Sequence, residues 1–253
     1  MALSSLHAGA AGKDAQAEAP FDWTEREAAP EPEACAPSCD GCKPLYDGAS
    51  FVPNPKQAPL NAVEQAQVRK AYTRYLASDH CQSDETHLDP SEIGSPEDMG
   101  SVGDVIAGSF TAAGRRQKLV LFEAGHCGKA GFHSENYGKR LVILLEGERT
   151  LRVMMDAGTS LLQAIDVDGD GRHEVVALGA WSGSGDSHAW LDLFSFAGGA
   201  RQALAHFDDL DSDPCAWEPD AQQHESRLSY RYDHVTQSLC FERREQVSAC
   251  PLS

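Results

Sequence analysis

Between Asp166 and Glu174 the chain reads Asp-Val-Asp-Gly-Asp-Gly-Arg-His-Glu, with carboxylates at Asp166, Asp168, Asp170 and Glu174. Calcium takes six to eight oxygen ligands at about 2.3–2.6 Å, and alternate residues of a tight loop can turn their carboxylates toward one centre. Gly169 and Gly171 supply the positive φ values that let so short a segment curl. A backbone carbonyl near Arg172 is the natural donor between the side chains of Asp170 and Glu174. The same pattern can also occur as an acidic turn that only solvates a hairpin. The metal reading makes Ca2+ the expected ion, with Asp166, Asp168, Asp170, Arg172 and Glu174 around it.

An EF-hand loop shares the opening Asp-x-Asp-x-Asp-Gly but needs a bidentate Glu at its twelfth position and a helix on each side. The twelfth position here is Ala177. The flanks, residues 160–165 and 175–178, are short apolar runs bounded by turn signals, which predicts strands. A loop of this order between two strands resembles the FG-GAP repeats of integrin-α-like β-propellers. The resemblance covers about one hairpin and implies calcium at Asp166, Asp168, Asp170 and Glu174.

The remaining elements have to position that loop, and the chain compared with itself shows how. Residues 107–121 lie over residues 164–178 without a gap, an offset of 57 residues, near the upper end of blade-like repeats. Gly114 matches Gly171 and Arg115 matches Arg172, but Ser109, Thr111, Ala113 and Gln117 stand where the acids should be. The first copy is expected to keep a hairpin without its ion. Each copy is followed by another pair of apolar runs, 140–146 with 150–155 and 189–196 with 201–207, joined across glycines. Period-2 alternation makes these hairpins, and two hairpins make a four-stranded blade.

A further hairpin is expected at 227–232 and 238–243. The expected fold is mainly β, with antiparallel hairpins of propeller-blade type. Repeats at about 102–156 and 159–208 and a C-terminal hairpin at about 226–245 make up a domain from residue 59 to 253. Closed propellers have four to eight blades, so an open or incomplete propeller or a β-sandwich is expected. One helix precedes it, at about 60–78, with Asn61 as cap and Glu64 completing a capping-box pair. Residues 1–58, acidic and rich in Ala and Pro, read as a disordered leader.

Composition bounds the function. Lys+Arg 21 against Asp+Glu 39 gives a net charge of −18, which argues against a nucleic-acid or anionic-membrane surface, because phosphate binding depends on clustered cations. No run approaches the 18 or so apolar residues of a membrane span. Eight cysteines in loops and strand ends suit disulfides formed outside the cytoplasm, with Cys215 expected to pair with Cys240 or Cys250. The first 20 residues lack the basic start and apolar run of an intact secretory signal. The expected location is nonetheless extracellular or periplasmic.

Other reactive groupings carry less. Cys35-x3-Cys39-x2-Cys42 has the spacing of an iron–sulfur triad or part of a zinc knuckle, but its Pro-rich acidic setting favours disulfides. His80, Cys81, Asp84 and His87 crowd into one polar segment without a zinc signature, and His173-Glu174 lacks the second His of a zinc-protease motif. Two functions follow. The first is a noncatalytic, calcium-braced β module of a secreted or envelope protein, with a protein or glycan as its ligand. The alternative is a metal-dependent hydrolase using His126, His133, Glu135, Asp186 and His188, which would have to converge on one pocket.

Overall fold

A computed structural model describes residues 21–22, 29, 32–35, 39–47, 58–78, 100–124, 139–157, 159–183, 186–212, 214–215 and 222–250. Among the described residues the protein is mainly β, with one α-helix and two sheets that are antiparallel apart from a short edge pairing. The first repeat is a four-stranded meander of β3 (Ser101–Gly108), β4 (Gln117–Glu123), β5 (Lys139–Glu146) and β6 (Arg149–Ala157). A two-residue strand, β1 (Phe21–Asp22), runs parallel to β6 at its edge. The second repeat is the meander β7 (Thr159–Ile165), β8 (Glu174–Gly183), β9 (Asp186–Ser195) and β10 (Gln202–Phe207).

Strand alternation gives each meander two apolar faces. On one face of the first, Ile106, Leu119, Leu121, Val142, Leu144 and Met154 pack against Leu162, Val175, Ala177, Phe194 and Phe196 of the second. This shared layer joins the two repeats, and the Leu162 N–H donates to Asp104 Oδ2 across it at 2.9 Å. The opposite faces would be left in water by two repeats alone, and two different elements cover them.

The helix α1 (Ala62–Leu76) covers the first outer face. Its Val68, Ala71, Tyr72 and Tyr75 pack on Val105, Val120, Phe122, Leu141, Ile143 and Val153, with the Tyr72 and Phe122 rings 4.9 Å apart. Its start is fixed by a complete capping box: the Glu64 N–H donates to Asn61 Oδ1 at 2.9 Å and the Asn61 N–H to Glu64 Oε2 at 2.8 Å. Lys118 of β4 donates to the same Glu64 oxygen at 2.7 Å and so ties the cap to the sheet.

The second outer face is covered by β2 (Lys43–Asp47), β12 (Gln222–Asp233) and β13 (Ser238–Ala249). Leu45, Tyr46, Leu228, Tyr230 and Phe241 close on Val176, Leu191, Leu193, Ala205 and Phe207. The short β11 (Asp211–Ser212) pairs with both β9 and β12, so the second sheet curls over its own core.

Part of the span expected to be a disordered leader is therefore structural. Lys43–Asp47 pairs with β12, Ala34 bridges Phe241, and a disulfide joins Cys35 to Cys240. Leu45 and Tyr46 are buried, which supplies the apolar area that overall composition had diluted. Cys215 pairs with Cys250 and Cys39 with Cys42, so the disulfide expectation holds for these six cysteines. No helix among the described residues is long and apolar enough to cross a membrane.

Tyr75 is fully buried in the layer between helix and sheet. If α1 serves as the lid of the first repeat, Tyr75→Ala should cost about 3–5 kcal/mol of unfolding free energy, the usual loss for a large aromatic core side chain. Urea unfolding followed by circular dichroism measures this, and a loss below about 1 kcal/mol would show that the helix is only loosely docked.

Candidate metal centre

The acidic loop joins β7 to β8 and has the tight form its glycines imply, with Gly169 at φ 77° and Gly171 at φ 82°. A side chain at either position would force an L-residue into the left-handed region. The loop is also held by its own carboxylates. Asp166 accepts from the Gly169 N–H at 2.7 Å and the Gly171 N–H at 3.1 Å, and Asp168 accepts from the Asp170 N–H at 3.1 Å. Glu174, the first residue of β8, accepts from the Val167 N–H at 3.1 Å.

Carboxylate oxygens of Asp166, Asp168 and Glu174 all lie within 4.8 Å of one another. Asp170 stands outside that group, because its carboxylate is taken by Arg172, whose backbone N–H donates at 2.7 Å and whose Nε donates at 2.6 Å. The Arg172 guanidinium thus joins the loop by pairing with Asp170. That pairing holds the Asp170 carboxyl below its ordinary range, the Arg172 hydrogen bond being the largest cause.

The electrostatic consequence falls on Glu174, which is only 3% exposed. Burial pushes its carboxyl up to about 7, and the charges of Asp168 and Asp170 add to the rise against the Val167 hydrogen bond. The field reaches farther: Tyr230 of β12 is held above its usual range by burial and then by Asp166 and Glu174. Three converging carboxylates with one buried are an all-oxygen donor set, the kind a hard divalent cation neutralises.

The first repeat carries the uncharged counterpart. Gln117 occupies the place of Glu174 and is 2% exposed. Its Oε1 accepts from the Phe110 N–H at 2.8 Å, just as Glu174 accepts from Val167, and from the Thr111 N–H at 2.9 Å. Its Nε2 donates to Thr111 Oγ1 at 2.7 Å, so an amide proton lies between the residues that correspond to Glu174 and Asp168. Ser109, at the place of Asp166, donates its hydroxyl to the Arg115 carbonyl at 2.8 Å. Gly114 keeps the left-handed turn at φ 74°.

The two loops are joined directly. The His173 N–H donates to the Ser109 carbonyl at 2.9 Å, and the Ser109 N–H donates to His173 Nδ1 at 3.1 Å. A Cβ on Gly171 would lie 3.3 Å from that of Ala113, so the turns nearly touch. From sequence His173 was only a failed zinc-protease residue; its place in the 57-residue repeat, opposite no ligand position, was the available signal.

Of the alternative residues, His126, His133 and Glu135 lie outside the described residues, as do His80, Cys81, Asp84 and His87. Asp186 opens β9, and its side chain lies outside the description. His188 lines a cleft of about 900 Å³ with His206 and His224, two histidines that sequence reasoning passed over. There His206 Nδ1 lies 2.7 Å from Asp192 Oδ1 and His206 Nε2 lies 2.7 Å from Asp208 Oδ1. No family model, curated protein or solved structure matches the chain.

The raised carboxyl of Glu174 gives a pH signature in chelator. With a value of about 7 folded and 4.5 as its ordinary value, its protonated form favours folding. That stability is complete below about 4.5, declines as pH rises, and is gone above about 7, a difference of at most about 3 kcal/mol. Unfolding free energy in EGTA should therefore fall from pH 5 to pH 8 more steeply in the wild type than in Glu174→Gln. Parallel pH profiles for the two would show that Glu174 is not the titrating group.

Proposed function

We propose that this chain is a noncatalytic, calcium-binding β-repeat module of a secreted or envelope protein, with one bound ion bracing the 166–174 loop. The observation that carries the reading is the convergence of Asp166, Asp168 and Glu174 on a glycine turn whose backbone N–H groups already hold all three carboxylates. Oxygen-only donors and a flexible coordination number favour calcium over a softer metal. The loop's Asp-x-Asp-Gly-Asp-Gly order between strands also resembles an FG-GAP repeat.

The ion would act as a local brace. It neutralises Glu174, whose buried charge otherwise opposes folding, and it sits where the two repeats meet through Ser109 and His173. Disulfides at Cys35–Cys240 and Cys215–Cys250 support an oxidising compartment, extracellular or periplasmic. The ligand class that suits such a module is a protein or glycan bound at exposed loops.

An ion present at a hundredfold excess over its Kd stabilises the folded state by about 2.7 kcal/mol. For a domain of this size that corresponds to a rise in Tm of roughly 5–10 °C on replacing EGTA by calcium. Asp168→Ala should abolish the rise while leaving the chelated protein close to wild-type stability, since Asp168 makes only one local backbone bond. Thermal unfolding by calorimetry in both media decides: an equal rise in the variant, or none in the wild type, would overturn the assignment.

A further inference from the structure

Independently of the calcium loop, sulfur atoms gather where the amino-terminal segment crosses β13. The Sγ atoms of Cys35, Cys39 and Cys42 all lie within 4.8 Å of one another. Cys35 is bonded to Cys240, 205 residues away in sequence, and Cys39 is bonded to Cys42. Two disulfides are thus neighbours, one long-range and one spanning a three-residue step.

Their settings differ in a way that matters for chemistry. Cys39 and Cys42 flank Asp40 and Gly41, both exposed, in a turn where the Cys42 N–H donates to the Cys39 carbonyl at 3.1 Å and Gly41 has φ 79°. The C-x-x-C pair, itself half-buried like Cys35, borders this exposed turn, and the motif favours the thiolate form that attacks disulfides. Cys35 instead lies within a backbone ladder: its N–H donates to the Phe241 carbonyl at 3.0 Å, and the Phe241 N–H donates to the Glu33 carbonyl at 2.8 Å. Cys215–Cys250 is a separate bridge outside this sulfur group.

We propose that Cys39–Cys42 is a redox-active pair through which an external dithiol opens and closes the Cys35–Cys240 staple. The dithiol reduces Cys39–Cys42 by exchange, becoming a disulfide itself while two electrons pass to the pair. One of the new thiolates attacks Cys35 Sγ. The Cys35–Cys240 bond breaks, Cys240 leaves as a thiolate that takes a proton, and a mixed disulfide to Cys35 forms. The second C-x-x-C thiolate then attacks that mixed disulfide, restoring the Cys39–Cys42 bond and releasing Cys35 as a thiolate. Two electrons have moved from the external dithiol to the staple, and every step is reversible. The outcome is control over whether the amino-terminal segment is covalently fastened to β13 or held there by backbone hydrogen bonds alone.

The full-length oxidised protein is treated with dithiothreitol for graded times, quenched with acid, alkylated and mapped by peptide mass spectrometry. Cys35–Cys240 should open roughly tenfold or more slowly in Cys39→Ser/Cys42→Ser than in the wild type, because the exchange partner is gone. Cys215–Cys250 should open at the same rate in both, which also shows that the variant is folded. In Cys42→Ser the Cys39 thiol has no resolving partner, and Cys35–Cys39 with free Cys240 should accumulate to about a tenth of the protein or more. Equal opening rates of Cys35–Cys240 in wild type and double variant, or maps of both Cys42→Ser and Cys39→Ser without a mixed disulfide from the remaining C-x-x-C cysteine to Cys35, would overturn the proposal.

Discussion

Each repeat of this protein is apolar on both faces, and the rest of the structure answers that constraint. A four-stranded meander with Leu119 and Leu121 on one side and Val120 and Phe122 on the other cannot leave either side in water. At about 25 cal/mol per Å² of buried apolar surface, a sheet face with half a dozen buried apolar side chains is worth about as much as a protein's whole net stability. With two meanders only one face of each can be covered by the other, so α1 and the curled β2–β12–β13 layer cover the faces left over.

The paired loops show one backbone design solved with two chemistries. Both need a buried acceptor at the start of the second strand to take the N–H of the residue after the turn's first position, and both place left-handed glycines at the turn. Gln117 meets the need with a neutral amide whose own protons find Thr111, so the first loop is satisfied without outside help. Glu174 meets it with a carboxylate beside two others, and the loop then has surplus negative charge in a buried place. A buried polar group that lacks its partner destabilises far more than a satisfied one stabilises. The paired hydrogen bonds between Ser109 and His173 tie the second loop to the first repeat.

The strands and their turns were legible because their causes are local: period-2 alternation, glycine between apolar runs, and a capping box with all of its partners within three residues. The 57-residue echo was legible for the same reason, since Gly114 and Gly171 answer to one φ requirement. What sequence did not reveal depends on contacts between distant segments. Leu45 and Tyr46 sit in a stretch whose average composition is that of a linker, and only β12 and the second repeat's outer face make them core. Asp170 reads as a ligand from its spacing, yet Arg172 two residues on can fold back onto it, a rotamer choice that spacing does not encode. Cys35 was expected in a disulfide, but its partner Cys240 lies on β13, 205 residues away, which spacing does not encode.

The N-terminal segment shows why such distant contacts need more than packing. Among its described residues Leu45 and Tyr46 are buried, and the apolar area they contribute is small against the entropy of ordering the strand and bridge. Its attachment rests on β2 pairing with β12, the Ala34 bridge to Phe241 and the covalent bond to Cys240. A cross-link that spans 205 residues removes a large loop entropy from the unfolded chain in the chain-entropy account. It also fastens the short ladder at Phe241, where the backbone hydrogen bonds already lie. The part of the second repeat's outer cover that comes from the amino-terminal segment is thus backed by a bond that responds to redox conditions, while the cover of the first rests on the apolar face of α1 and the Lys118–Glu64 pair. The two halves of the molecule are alike in their strands and unlike in what holds their outer layers on.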